Sequence, residues 1–444
     1  MQIVIAGAGD VGSHLAKLLS HEEQDILVID ENSEKLAVLD ANYNLMTYAG
    51  SPTSFTTLRE ARVGSADLFI AVTPSENDNV VACSIARNLG ALTTVARINT
   101  FDYMEEINQP LVSRIGVDRV IYPEYLAAEE ILTALRRSWV RHWFELHDGA
   151  IIVVGVKLHE GAPIVGMKLR DFSFTNHDFH VSAIKRGHDT IIPGGNDILQ
   201  SDDILYFTCT RQNVDNLMEL TGKVDHHIRR VMIMGGGKIA VRLAAMVGNE
   251  FKLTIIDNDY SICQKLLEKC PDCQIIHGDA RDIELLVEEG IDQCQAFVAL
   301  TGSSEANILT CLSAKELGIK KTIAEVENIH YISQAEGLNI GTIINKKLLA
   351  SSSIFQLMLD ADSSSSKCLA LTDAEVAEIE VKPGAKITGT PVKNLKLSKN
   401  MTFAGLIRNG VGSLVNGNTI LEPGDSVVVF SLSGSLHKIE RLFS

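Results

Sequence analysis

The segment Gly7-Ala8-Gly9-Asp10-Val11-Gly12 returns as Gly235-Gly236-Gly237-Lys238-Ile239-Ala240, about 228 residues further along the chain. Asp25 to Asp30 returns as Lys252 to Asp257, and Phe69-Ile70-Ala71-Val72-Thr73 as Phe297-Val298-Ala299-Leu300-Thr301. Asn79 falls on Asn307, Cys83 on Cys311 and Gly90 on Gly318. Chance does not hold one offset across so many consecutive elements, so the chain is a duplication. A second repeat follows each copy of the first. Ile164 to Leu169 resembles Ile387 to Val392, Ile184 to Gly187 resembles Ile407 to Gly410, and Leu199 to Phe207 resembles Leu421 to Val429, with Asp203 on Asp425.

The larger repeat alternates short apolar runs with helical patterns. Ile3 to Ala6, Ile26 to Ile29, Leu68 to Val72 and Val95 to Ile98 read as strands, and Val11 to Leu19 carries apolar residues at helical spacing. Such alternation predicts an α/β fold, a parallel sheet doubly wound by helices, in each copy. The smaller repeat predicts strands at Ile151 to Val156, His180 to Lys185 and Ile204 to Thr208, with two helical stretches closing the module near Leu220. It reads as a small α+β domain. Linkers are expected near 136–144, 222–229 and 362–367, the last holding the polar tract Ser363 to Ser366. The expected domains are 1–138, 139–225, 226–362 and 363–444.

Each large domain opens with a glycine fingerprint placed where phosphate chemistry needs it: after a strand, before a helix, with an acid about 20 residues on. Gly7 permits the tight turn, Gly9 the approach of backbone to a pyrophosphate, and Gly12 close packing of helix on strand. The helix N-terminus offers N–H groups to the anion. Asp30 can bind ribose hydroxyls, and the adjacent Glu31 would repel a 2′-phosphate, which favours NAD or ATP over NADP. The second fingerprint has Gly235, Gly237 and Ala240, with Asp257 as its acid. Gly278-Asp279-Ala280 can line an adenosine there, where the first copy has Gly50-Ser51-Pro52. Arg97 can reach a phosphate; its counterpart Glu325 cannot. Asn79 and Asn307 are expected to cap helices, with ligand contact as the alternative.

Other candidates are weaker. Cys270-Pro271-Asp272-Cys273 ends a helix and precedes a strand, the reverse of a thioredoxin-like pair, and has no second pair to make a zinc site. His226-His227 reads as solvated linker, and the basic and aromatic residues of 139–144 as domain-junction packing. Eight cysteines scattered through apolar segments suit reduced thiols. A formal net charge of −16 argues against nucleic acid. The sequence shows no apolar run of membrane-spanning length and no signal peptide, so a cytoplasmic chain is expected.

The pattern resembles the TrkA family, the tandem RCK (regulator of conductance of potassium) subunits of bacterial potassium uptake. The resemblance is carried by 7–12, by Asp67 to Thr73, by Ala96-Arg97-Ile98, by 278–280, by Glu305-Ala306-Asn307-Ile308 and by the terminal Glu440-Arg441-Leu442-Phe443. It implies two Rossmann-like RCK N-domains, each followed by a small RCK C-domain. It further implies a non-enzymatic regulatory subunit that binds NAD(H) and ATP or ADP. That subunit would sit on the inner face of the plasma membrane against a TrkH-like potassium-translocating partner, as a homotetramer with a ring of eight RCK domains. Matching the family's motifs residue by residue, the first site comprises Gly7, Ala8, Gly9, Asp10, Val11, Gly12, Asp30, Thr73 and Arg97. The second comprises Gly235, Gly236, Gly237, Lys238, Ile239, Asp257, Asp279 and Thr301. Single-RCK relatives often carry Arg at the fourth fingerprint position to contact ATP phosphates; here it is Asp10 or Lys238. Two alternatives stay open, a regulator of another transporter and an NAD-dependent dehydrogenase. Against the latter, no Tyr-x-x-x-Lys pair or His–carboxylate arrangement lies near the fingerprints.

Overall fold

The computed structural model describes residues 1–20, 24–187, 189–361, 367–371, 374–432 and 442–443. The serine tract 363–366 and the terminal residues Glu440 and Arg441 lie outside the described residues. Two compact units emerge: Met1–Leu126 with Lys346–Ser363, and Ala127–Asn345 with Ser364–Ser444.

In the first unit, strands β1 (Gln2–Ala6), β2 (Asp25–Asp30), β3 (Met46–Ala49), β4 (Leu68–Ala71), β5 (Thr93–Arg97) and β6 (Arg119–Ile121) form one sheet in the order β3-β2-β1-β4-β5-β6. Every pairing is parallel. The strands read as unbroken apolar runs because helices cover both faces; β4 is buried at all four positions. Val11, Leu15, Ala16 and Leu19 put one stripe of the helix Asp10–Leu19 against the sheet. The helix Glu76–Leu89 stops at Gly90, whose φ of +123° admits glycine readily and other residues with strain.

The helix Lys346–Ala361 also belongs to this unit, although in the chain it follows the last strand of the second large domain. It packs along Asp10–Leu19: His14 Nδ1 lies 2.8 Å from Ser351 Oγ, and Lys347 Nζ lies 2.6 Å from Asp10 Oδ2. Burial, and secondarily Lys17, push the His14 imidazole down to about 4, so it sits in this contact neutral.

Among its described residues, the second unit holds three sheets. Strands β7 (His142–Leu146), β8 (Ile151–Lys157), β9 (His180–Arg186), β10 (Asp189–Ile191) and β11 (Ile204–Cys209) make the first small domain, ordered β10-β9-β11-β8-β7 and antiparallel throughout. Strands β12 (Arg230–Met234), β13 (Lys252–Asp257), β14 (Gln274–His277), β15 (Ala296–Ala299), β16 (Lys321–Glu325) and β17 (Thr342–Ile344) repeat the parallel order of the first large domain. Strands β18 (Lys367–Leu371), β19 (Ala374–Glu380), β20 (Met401–Arg408), β21 (Val411–Leu414) and β22 (Ser426–Leu432) form the second small sheet.

The structure refines two of these expectations and shows where the second small domain departs from the first. The stretch 136–144 is not simply a linker, because His142–Leu146 is the edge strand of the first small sheet and Trp139 and Trp143 pack on its core. One small-domain helix, Leu169–Thr175, falls between β8 and β9, and the module closes on a 3-10 turn, Arg211–Asn213, that runs into the helix Val214–Thr221. The matching stretch of the second small domain shrinks to a single 3-10 turn, Val392–Asn394, beginning after Pro391.

The two small sheets bury each other. Ile151, Val153 and Tyr206 of the first share one core with Val376, Ala404 and Phe430 of the second. This explains why Ile151 to Val156 is buried on both strand faces. The helix Leu169–Thr175 covers one face through Phe172, and the other sheet covers the opposite face. The repeated aspartates anchor each hairpin. Arg186 donates from Nε and Nη2 to the two carboxylate oxygens of buried Asp203 at 2.8 and 2.7 Å. Arg408 grips Asp425 in the same bidentate way, at 2.7 Å on both arms.

Candidate nucleotide-binding clefts

Both fingerprints build the same turn. Gly7 sits at φ +112° and Gly235 at φ +100°, which side chains with a Cβ adopt only under strain. A Cβ on Gly7 would lie 3.0 Å from Thr73 N, and one on Gly235 2.9 Å from the Leu300 carbonyl oxygen. A Cβ on Gly12 would come within 1.9 Å of the Gly7 carbonyl oxygen, so helix and loop close up only on glycine. Ala240 occupies the matching position in the second copy.

The middle glycines are different. A Cβ on Gly9 or on Gly237 would meet nothing within 4 Å, so packing does not require glycine there. Each begins a helix with extended backbone and no side-chain cap, whereas helices alongside are capped by Asn32, Ser54 and Ser75, or by Asp259, Asp282 and Ser303. Open space in front of an uncapped helix N-terminus suits a pyrophosphate, which takes up the orphan N–H groups and the positive dipole end.

The acids at the ends of β2 and β13 are held by the loops they serve. Asp30 accepts from Ala8 N at 2.6 Å and Asn32 N at 2.8 Å; Asp257 accepts from Gly236 N at 2.7 Å and Asp259 N at 2.8 Å. The N–H groups of Ala8 and Gly236 are therefore spent on positioning the acid, which leaves its remaining lone pairs for ribose hydroxyls. Val11 and Ile239 turn their side chains into the core. Asp10 faces Lys347.

Asn79 and Asn307 neither cap helices nor face the clefts, which corrects the expectation for them. Both are fully buried. Asn79 Oδ1 accepts from Thr73 N at 2.8 Å and Thr73 Oγ at 2.7 Å, while its Nδ2 donates to the carbonyls of Thr73 and Arg97 at 3.0 and 2.9 Å. Asn307 repeats the set with Thr301 and with the Glu325 carbonyl. Each asparagine ties the loop after the fourth strand to the end of the fifth. The caps are Ser75 and Ser303.

The copies diverge in where a cation stands. In the first, Arg97 ends β5, and its Nε is buried with no hydrogen-bond partner among the described residues. In the second, Glu325 holds that place and is buried. A cation enters the second cleft from elsewhere. Arg281 lines a cavity of about 290 Å³ together with Gly235, Asp257, Asp279 and Thr301. Arg281 grips Asp279 through Nε–Oδ1 at 2.9 Å and Nη2–Oδ2 at 2.6 Å; its hydrogen bond holds the Asp279 carboxyl below the usual range and raises the guanidinium in turn. Sequence reasoning missed Arg281, and its signal was the position two residues after Asp279. The first copy has Thr53 there, hydrogen-bonded to Ser51 at 3.1 Å. Asn258 and Ser303 also line the second cavity, and Asn258 stands where the first copy has Glu31.

The TrkA-N domain family matches residues 3–123 and 231–346, and the TrkA-C domain family matches 153–222 and 376–444. The chain belongs to the TrkA family. The Trk system potassium uptake protein TrkA of Haemophilus influenzae is 31% identical over 451 residues, spanning 100% of this chain and 98% of its own length. That of Halomonas elongata is 29% identical over 450 residues, with the same coverage, and the TrkA homolog 1 of Methanosarcina mazei is 28% identical over 454 residues, covering all of both chains. Among solved structures, the GsuK RCK domain superposes with a TM-score of 0.61 at 18% identity, covering 100% of this chain and 94% of that one. The GsuK channel bound to NAD gives 0.61 over 100% of this chain and 78% of that one. A TrkA-family chain is a regulatory subunit of potassium uptake, not an enzyme. No helix among the described residues is long and apolar enough to cross a membrane.

Proposed function

We propose that this TrkA-family chain is the nucleotide-sensing gate regulator of a Trk-type potassium uptake system, binding NAD(H) and ATP or ADP in its two Rossmann clefts. The observation that carries the proposal is the pair of uncapped helix N-termini behind glycines that packing does not require, each with a loop-held aspartate beside it. The buried, unpartnered Nε of Arg97 supports phosphate binding at the first site, and Arg281 supports it at the second. The RCK-containing GsuK channel has been solved with NAD and with ADP, which supports those ligands here. We assign the 17 fingerprint, ribose, loop and arginine positions named from the sequence as the sites. The domain boundaries follow as 1–138, 139–225, 226–362 and 363–444. The chain would work in the cytoplasm as a homotetramer, a ring of eight RCK domains docked on a TrkH-like membrane subunit.

A ligand shifts a gate only by its differential affinity for two arrangements of the protein. The fingerprint helix Asp10–Leu19 carries Lys346–Ala361 on its flank, and that helix is continuous in the chain with β17 of the second repeat. The test is potassium flux through the chain reconstituted with its membrane partner. Flux should depend on ATP and NADH, and Asp30→Ala should blunt that dependence while assembly persists. Flux indifferent to both nucleotides refutes the gating role.

A further inference from the structure

A further anionic ligand site, outside both Rossmann clefts, is indicated by a cluster of cations in the second unit. Among the described residues of the second unit, cations gather where the first small domain meets the second large one, around a cavity of about 330 Å³. Arg141, Lys157 and Lys223 line it from the small-domain side and Asn339 from the large domain. Arg141 Nη2 donates to Asn339 Oδ1 at 2.7 Å, and Lys315 Nζ donates to the Asn339 backbone carbonyl. Just behind, buried Lys321 donates to the Val140 carbonyl at 3.0 Å.

The neighbouring acids do not balance these charges. Asp202 is taken by Lys157 at 3.1 Å, and Glu336 by Lys185 at 2.7 Å. Glu160 lines the mouth and is exposed. Glu130 and Asp225 face Lys321. His159 is held by its own loop, accepting at Nδ1 from Gly161 N at 3.1 Å and placing Nε2 3.1 Å from the Gly222 carbonyl. The ammonium of Lys223 has no carboxylate within ion-pair distance among the described residues. Burial, then Arg141, Lys157 and Lys315, lower its pKa, and Lys315 is lowered by burial, Arg141 and Lys157. Cations that depress one another are a standing electrostatic penalty in a chain whose formal net charge is −16, and a bound anion relieves it.

We propose that this cavity binds a small multivalent anion of the phosphorylated-metabolite class, held by Arg141, Lys157 and Lys223 against Asn339. Arg141 supplies a planar fork for two oxygens, and the two lysines supply point charges around the rest. The site belongs to one copy of the duplication only. The residue matching Lys157 at the end of the second small domain's strand is Glu380. A ligand here bridges a small and a large domain and so adds an input to the chain separate from the Rossmann clefts.

Tryptophan fluorescence tests the proposal, because the chain has two tryptophans, Trp139 on the cavity wall and Trp143 nearby beneath the Arg137 guanidinium. Inorganic pyrophosphate is titrated at low salt into the full chain, into Lys223→Ala and Lys157→Ala, and into a Gly9→Ala/Gly237→Ala double variant. The added methyl groups of the double variant occupy open space and obstruct only the fingerprints. The expected result is a saturable fluorescence change that the double variant keeps. Each lysine substitution should weaken it about tenfold, the loss of one charge-assisted phosphate contact. No saturable change, a change lost in the double variant, or one unaltered by both lysine substitutions overturns the proposal.

Discussion

The first and second Rossmann clefts share a frame and differ in their charges. The frame is the positive-φ glycine, the loop-held aspartate, the uncapped helix and the buried asparagine staple, reproduced in both copies with hydrogen bonds matching to within about 0.3 Å. The charges have moved: Arg97 at the end of β5 in one, Arg281 after β14 in the other, with Glu325 where the first arginine stood. Duplication has thus kept the turn and its buttresses and varied the charges beside it. The flanks differ too. The first fingerprint helix carries Lys346–Ala361, fastened at Asp10 and His14, where the second copy has Lys238 and Arg242.

Removing the shared frame should have the largest effect. Asn79→Ala and Asn307→Ala each strand buried backbone groups, and each should destabilise its domain by about 2–4 kcal/mol. Hydrogen exchange at 72–75 and 300–303 should show equal loosening in the two variants. Strongly unequal loosening would break the idea of one common frame. Next comes the third fingerprint position. Gly12→Ala must displace the Gly7 carbonyl and should destabilise the first domain by about 1–3 kcal/mol. Ala240→Gly only loosens a helix and should change the second domain by no more than about 1 kcal/mol. Domain-resolved denaturant unfolding checks both.

Exchanging the cations sharpens the comparison further. Arg97→Gln should weaken nucleotide binding at the first cleft alone, and Arg281→Gln at the second alone, each by about tenfold, the value of one charge-assisted contact. Equal effects of both on one binding event would mean that the clefts do not act separately. A separate effect is acidic loosening of the first fingerprint helix, which the second fingerprint helix, with Arg242 in place of His14, lacks. The folded His14 titrates near 4 against 6.5 when unfolded, so the unfolded state takes up the extra proton. The stability His14 contributes is present above pH 6.5 and is lost as pH falls from there toward 4. Exchange protection along 346–354 should fall over that window and should not fall in His14→Gln. The depressed histidines of the second unit, His142 and His180, lie in its small domain and not on its fingerprint helix.

Much of this was legible in the sequence, for particular reasons. A duplicated chain announces its domain order through the offset of its glycines. Parallel strands buried on both faces announce themselves as unbroken apolar runs, as in Leu68 to Ala71. The fingerprints and their acids are read from local spacing. What escaped depends on contacts between segments distant in the chain. Nothing in Lys346–Ala361 says which domain it packs on, since an amphipathic stripe fits any apolar face. The mutual burial of the two small sheets was signalled by Ile151 to Val156, too apolar for a strand with one face in water. His142–Leu146 mixes polar and aromatic residues and pairs only as an edge, so it reads as a junction. Asn79 sits at a helix start, where capping is the local expectation, while its real partners include the Arg97 carbonyl across the sheet edge.

The central claim, two unlike nucleotide sites in one chain, is tested most directly by calorimetric titration of NADH and of ATP into the parent protein, Asp30→Ala and Asp257→Ala. The account predicts binding on the order of −8 kcal/mol or tighter. It also predicts that each substitution removes one class of site, and that the survivors in the two variants differ in their preference between NADH and ATP. Identical ligand profiles for Asp30→Ala and Asp257→Ala, or no binding to the parent protein, would contradict it.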